Sequence, residues 1–227
     1  MVPATVPAVT ERRALIVAGG WDGHQPEASA ALLAGLLTEE GFSPTIATTL
    51  DVLADADLLR RQALVVPNWT MDDLPREHEQ TLLQAVQDGV GMAGVHGGMG
   101  DAFRKAEHYQ WIVGGQFVGH PDGVVDYHVD LVPDHPLTVG LQGFDVHSEQ
   151  YYMHVDPSNE VVATTTFHRP HLPWVDGVVM PVAWRRRFGA GRVFYLSVGH
   201  TPQDLEPEPV RTLLRRGLRW AGGLSPT

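Results

Sequence analysis

The first hundred residues alternate between short apolar runs of strand length and longer stretches with helical spacing, which restricts the chain to α/β folds built on a parallel sheet. Ala14 to Ala18 is a buried-type apolar run ending in Gly19-Gly20. Pro26 then opens a helical pattern through Leu32, Leu33, Leu36 and Leu37 to a stop at Gly41. Ser43 to Thr49 reads as a second strand, and Ala63 to Pro67 as a third that closes at Asn68-Trp69. Pro75 to Gln87 is helical with Gly89 past its end, where a left-handed residue suits a helix C-terminus. Met92 to Val95 gives a fourth strand, broken at His96-Gly97-Gly98. The pattern predicts a doubly wound, mostly parallel sheet with helices on both faces.

From Trp111 to about Pro181 the alternation lapses. Tyr127 to Val132 and Val161 to Phe167 read as strands, while prolines at 121, 133, 136, 157, 170 and 173 break the rest into loops. This predicts a loop-rich insertion covering the sheet edge and the mouth of a cleft. Val182 to Arg186 and Arg192 to Val198, joined by Gly189-Ala190-Gly191, form a hairpin candidate, and Pro207 to Ala221 reads as a closing helix. No repeat or linker divides the sequence, so residues 12–223 are expected to form a single domain behind a disordered tail of residues 1–11.

Composition narrows the function. No apolar run approaches the roughly 20 residues that span a bilayer, and Met1 to Thr10 lacks the pattern of a secretory signal, so a soluble, cytoplasmic protein is expected. A formal net charge of −11 argues against nucleic acid, whose binding is driven by Lys and Arg displacing counterions. With no cysteine, neither disulfides nor a thiolate nucleophile or ligand is available. Twelve histidines are many for this length, and histidine is both the commonest metal ligand and the usual acid/base group near neutrality.

In an open parallel sheet, ligands bind outside the carboxyl ends of the strands. That filter selects Trp21, Asp22 and His24 after the first strand, Asn68 and Trp69 after the third, His96 after the fourth and His200 after the last. The insertion adds His120, Glu149, Gln150, Tyr151 and Tyr152. His24, His96, His120 and His200 each stand beside glycine, which permits sharp turns and close backbone approach. A lone strand-end histidine is more often structural than catalytic. Four on one edge point instead to a shared polar pocket. Trp21, Trp69 and Trp111 are read as stacking surfaces of that pocket, against the alternative of core or rim packing. His78, His108, His128, His135, His147, His154, His168 and His171 are read as structural or solvated.

Four runs carry a family resemblance. Gly91 to Gly98 (GMAGVHGG), Val113 to Pro121 (VGGQFVGHP), Ser148 to Tyr152 (SEQYY) and Gly189 to His200 (GAGRVFYLSVGH) resemble, in content and order, the ThuA-like (trehalose utilisation) family. The resemblance covers about residues 12 to 223. It implies a flavodoxin-like, class I glutamine amidotransferase-like fold, in bacteria often linked to oxidised (3-keto) disaccharides and related sugars. Amidotransferases of that superfamily place a cysteine at the elbow after the fourth strand. Here the elbow is His96, so glutamine hydrolysis by a thiolate is excluded.

Two mechanisms fit these residues. In one, His96, His200 and Glu149, with His24 or His120, bind Zn²⁺ or a similar divalent ion with one position left open. In the other no metal takes part: Glu149 and His96 act as acid and base beside a carbonyl, and Tyr151 donates to the developing oxyanion. Trp21, Asp22, Trp69, Trp111 and His120 are expected to bind the sugar. No nucleotide cofactor is expected, and self-association through an apolar helix face is compatible with the sequence. A non-catalytic sugar-binding or interaction module on the same fold is the competing class of function.

Overall fold

The computed structural model describes residues 11–227; residues 1–10, most of the stretch read as a tail, lie outside the described residues. The first half runs β1 (Arg12–Gly20), α1 (Pro26–Glu39), β2 (Phe42–Ala47), α2 (Ala56–Arg60), β3 (Leu64–Thr70), α3 (Arg76–Gln87), β4 (Gly91–Val95) and the short α4 (His96–Gly100). The second half runs α5 (Glu107–Val113), β5 (Gly115–Gly119), β6 (Val124–Leu131), β7 (Phe144–Glu149), β8 (Tyr152–Val155) and β9 (Glu160–Thr166). It closes with β10 (Val179–Phe188), β11 (Gly191–Leu196) and α6 (Glu208–Ala221).

Among the described residues nine strands form one mixed sheet, ordered β2-β1-β3-β4-β11-β10-β9-β6-β7. The block β2-β1-β3-β4-β11 is parallel throughout, the order of flavodoxin-like sheets, and the remaining strands continue it antiparallel. Strand alternation shows why both faces are covered. Ala14, Ile16 and Ala18 of β1 join Leu33, Leu36 and Leu37 of α1 and Leu213, Leu214 and Leu218 of α6 in one apolar cluster. The alternate residues Leu15 and Val17 join Leu82, Ala85 and Val86 of α3 in the other. Each fully buried leucine contributes roughly 1.5–3 kcal/mol of transfer free energy, so neither helical layer is dispensable.

Two expectations need adjustment. The third strand does not stop at Pro67 but continues to Thr70, so Asn68 and Trp69 lie within it. Its pairing with β1 runs on through Gly20↔Thr70, whereas the ladder to β4 ends at Val65↔Met92. Pro67 is tolerated because the β4 side of the ladder has already finished. The resulting splay between β3 and β4 is filled by α4.

The segment 111–181 holds more strand than its prolines suggest. All six prolines do fall between strands, but β5, β7 and β8 accompany the two strands read from the sequence. β9, β6 and β7 extend the sheet, and β5 and β8 form a separate antiparallel ribbon. Charged and polar residues at alternate positions of β7 hid its strand character, since the β6–β7 hairpin buries one face only.

Candidate metal centre

The centre begins at the turn out of β4. His96 has φ 44°, a left-handed conformation that costs a non-glycine residue about 1–3 kcal/mol and persists only where its surroundings enforce it. Here Tyr195 Oη donates to the His96 carbonyl at 3.1 Å, and the imidazole is 1% exposed. Two glycines make the turn passable. A Cβ on Gly97 would collide with the His24 ring, and one on Gly98 would press on Asn68 of β3. Gly97 therefore lets an imidazole from the β1 loop approach the elbow.

Four side chains from four parts of the chain meet there. His24 ends the 3-10 turn Asp22–His24 after β1, His96 follows β4, His200 follows β11 and Glu149 ends β7. One donor atom from each lies within 4.8 Å of all the others. Glu149 Oε2 stands 3.1 Å from His96 Nε2, 3.3 Å from His200 Nδ1 and 4.0 Å from His24 Nε2. The other carboxylate oxygen, Oε1, faces His120 Nε2 at 3.6 Å, and His120 is 39% exposed. His120 thus stands at the mouth while the other three imidazoles line the interior.

Protonation decides what such a set can hold. His96 Nδ1 lies 2.7 Å from the Ser197 carbonyl, which only accepts, so Nδ1 carries the proton. Burial lowers the His96 pKa against the opposing effect of Glu149, which leaves a neutral ring with a bare Nε2 lone pair. Burial, with the neighbouring His96 and His200 imidazoles acting the same way, also lowers His24 to about 3. Its Nδ1 is paired with Thr70 Oγ1 at 2.8 Å, which leaves Nε2 as the nitrogen turned inward. Burial alone would raise Glu149, but His200 and His96 outweigh it and hold the carboxyl well below the usual carboxylate range. His200 itself is raised by the carboxylate beside it.

The ionised Glu149 Oε2 and the bare Nε2 of His96 therefore face each other at 3.1 Å, a contact that is repulsive unless a proton or a cation shares it. His200 Nδ1 is buried with no hydrogen-bond partner, although Oε2 is near. Metal–ligand bonds of about 2.0–2.1 Å at tetrahedral angles set donors about 3.3–3.4 Å apart, close to the two shorter spacings, so the group could hold a metal ion. His24 and His96 as neutral imidazoles and Glu149 as a carboxylate are already in the protonation states such an ion requires.

The remaining sequence-selected residues divide. Tyr151 lies flat on His96, ring centroids 3.9 Å apart, and burial raises its phenol. Trp21, 48% exposed, sets its edge on His24 at 4.8 Å. Asp22 is exposed at the start of the same turn. Trp69 packs on Gly19 and bonds Asp72 through Nε1, and Trp111, 53% exposed, pairs with His108, so neither ring pairs with the imidazole cluster. None of the eight histidines read as structural belongs to the four-residue group. Sequence reasoning missed Thr70, Ser197, Ser148 and Asp204. A signal existed only for Asp204, because Thr201-x-x-Asp204 has capping-box spacing.

A family model described as ThuA, trehalose utilisation, matches residues 13–221. A ThuA-like protein from Parabacteroides merdae ATCC 43184 superposes with a TM-score of 0.75 at 19% identity, covering 94% of this chain and 90% of its own. One from Bacteroides uniformis ATCC 8492 gives 0.74 at 18% identity, covering 97% and 95%. A cytoplasmic protein from Salmonella typhimurium LT2 gives 0.64 at 13% identity, covering 92% and 99%. No curated protein matches at the level of sequence. No helix among the described residues is long and apolar enough to cross a membrane.

Proposed function

This chain belongs to the ThuA (trehalose utilisation) family, and from that premise we propose that it is a cytoplasmic enzyme acting on a sugar or keto-sugar at a divalent metal centre held by His24, His96, Glu149 and His200. One observation carries the reading: a neutral imidazole whose Nδ1 is committed to Ser197 turns its bare Nε2 onto an ionised carboxylate oxygen at 3.1 Å. A divalent ion, zinc by preference, supplies Lewis-acid polarisation of a sugar hydroxyl or carbonyl oxygen.

The chain's own residues supply the rest. Glu149 and the imidazoles of His24, His96 and His200 would hold the ion's charge in place. His120, exposed at the mouth and facing Oε1, takes or gives the proton at the substrate oxygen. Tyr151 and Phe117, with ring centroids 4.3 Å apart, wall the site beneath it and keep water from the His96 face. Trp21 offers an exposed ring at the rim for the apolar face of a sugar. A thiol nucleophile is absent from the whole sequence, so amide hydrolysis of the glutamine amidotransferase type is no part of the reading.

One observation favours a metal-free variant of this chemistry: His200 is raised by Glu149, so a proton rather than a cation can occupy the contact. Elemental analysis of the purified chain, with His96→Ala and Glu149→Ala variants and turnover of 3-keto-disaccharides, separates the readings. Stoichiometric metal lost in both variants together with turnover supports the metal centre. Turnover without metal, abolished by the same variants, supports acid–base catalysis alone. Intact sugar binding by both variants, with neither metal nor turnover in the wild type, would leave a binding module and overturn the enzyme.

A further inference from the structure

Glu149 reaches the centre from the far edge of the sheet. β10, β9 and β6 separate its strand from β11, which precedes His200. β6 pairs with β9 only at Asp130↔Thr164 and Leu131↔Ala163, so most of the β6–β7 hairpin has no neighbouring strand to fix its end over the imidazoles. On the β9 side the neighbouring Gln150 bonds Thr165 Oγ1 at 2.8 Å, and toward the loop that carries His200 a contact of Ser148 bridges the gap. Ser148, 1% exposed and adjacent to Glu149, donates its hydroxyl to Asp204 Oδ2 at 2.5 Å.

Asp204 is fixed in turn from the other side. Its Oδ1 accepts Thr201 Oγ1 at 2.9 Å, and its Oδ2 accepts the Thr201 N–H at 3.4 Å in the capping box on the 3-10 turn Pro202–Leu205. The support from Tyr127 Oη to the Glu149 carbonyl is longer, at 3.4 Å. The two ligand atoms that face each other at 3.3 Å, His200 Nδ1 and Glu149 Oε2, therefore hang from opposite ends of one Ser148–Asp204 hydrogen bond.

We propose that Asp204, which is not one of the four ligand candidates, is the positioning residue of the centre: acting through Ser148, it sets the span between Glu149 and His200 and with it the affinity for a divalent cation. The inference rests on the metal-centre reading above. Outer partners of this kind orient ligands, and their loss costs about 10–100-fold in metal affinity. A residue that only capped the turn would change stability and leave affinity alone.

The test is a competition titration with Zn²⁺ and Co²⁺ on the full chain, with circular dichroism and thermal melting alongside. D204A and S148A are each expected to weaken binding about 10–100-fold. The double variant should be no weaker than the worse single, because both remove the same tie. In an E149Q background D204A should change affinity by less than about twofold, since the group it positions is gone. A D204A chain that melts earlier but binds the ion as the wild type does would overturn the proposal, as would equal losses with and without Glu149. S148A leaves the capping box intact and decides the matter if D204A does not fold. A wild-type chain that takes up neither ion overturns the metal centre itself, and this inference with it.

Discussion

Replacing Gly97 by alanine would place a methyl group against the His24 ring, and that one steric fact makes the elbow testable. The variant is expected to keep its fold while losing at least about tenfold in metal affinity, because a single ligand is displaced. Isothermal titration with Zn²⁺ checks it, and unchanged affinity would show that His24 stands outside the centre. Protonation gives a second residue-scale test. Ion binding must expel the proton from His200, whose pKa lies above its ordinary value because of Glu149. Affinity should therefore fall as pH drops through the neutral range and level off at alkaline pH; titrations that are flat from about pH 6 to 8 would contradict it. His24, held near 3 by burial, adds nothing to the slope in that range. Sequence could mark His24, His96, His120 and His200 because glycine and strand ends surround them. It could not mark Thr70 or Ser197, because a threonine closing a strand and a backbone carbonyl look like any others until an imidazole points at them.

Between elements, α1 and α6 are tied where Glu40, whose side chain is 5% exposed, receives Arg215 and Arg219. Burial alone would raise this carboxyl, but hydrogen bonds and charge from Arg219 and Arg215 outweigh it and hold the pKa below the ordinary value of 4.5. A depressed carboxylate stabilises above its unfolded pKa, and that stability is lost as pH falls through the folded one. Glu40→Gln should therefore cost about 1–3 kcal/mol at neutral pH, and the gap to wild type should close below about pH 4.5. Urea denaturation of both chains at neutral and acid pH measures it. Gly217 tests the packing of α6 on the sheet, because a Cβ there would strike the Phe194 ring. Alanine is favoured over glycine in a helix by about 1 kcal/mol, but overpacking costs about 1–3 kcal/mol, so Gly217→Ala should destabilise. A raised melting temperature would show that the helix shifts freely. The parallel strands were legible because burial on both faces makes each a short continuous apolar run. β7 was not, because its alternation of Asp145 and His147 with Val146 and Ser148 resembles a polar loop when Pro136 and several glycines stand nearby.

At the scale of the whole molecule, an ion that binds only the folded chain adds stability by mass action. At about 100 times its dissociation constant it contributes about 2.7 kcal/mol. For a chain of this size each kcal/mol moves the midpoint about 2–4 °C, so chelation should lower the melting temperature by about 5–10 °C and added Zn²⁺ should restore it. Scanning calorimetry with and without chelator checks this, and coincident midpoints would count against a resident ion. The amino-acid sequence by itself determined the parallel half of the sheet, the closing hairpin and helix, the loss of the elbow thiol and a short set of candidate ligands, His96, His200 and Glu149 with His24 or His120. These are local matters: apolar periodicity, glycine stops and residue chemistry are written along the chain. Tertiary structure alone decided that Glu149 crosses from the sheet's far edge to face His96, that His120 remains at the mouth, and that Trp69 and Trp111 pack elsewhere. Those placements follow from how far β6 and β7 leave the ladder and from contacts between residues far apart in sequence, neither of which a periodicity can encode.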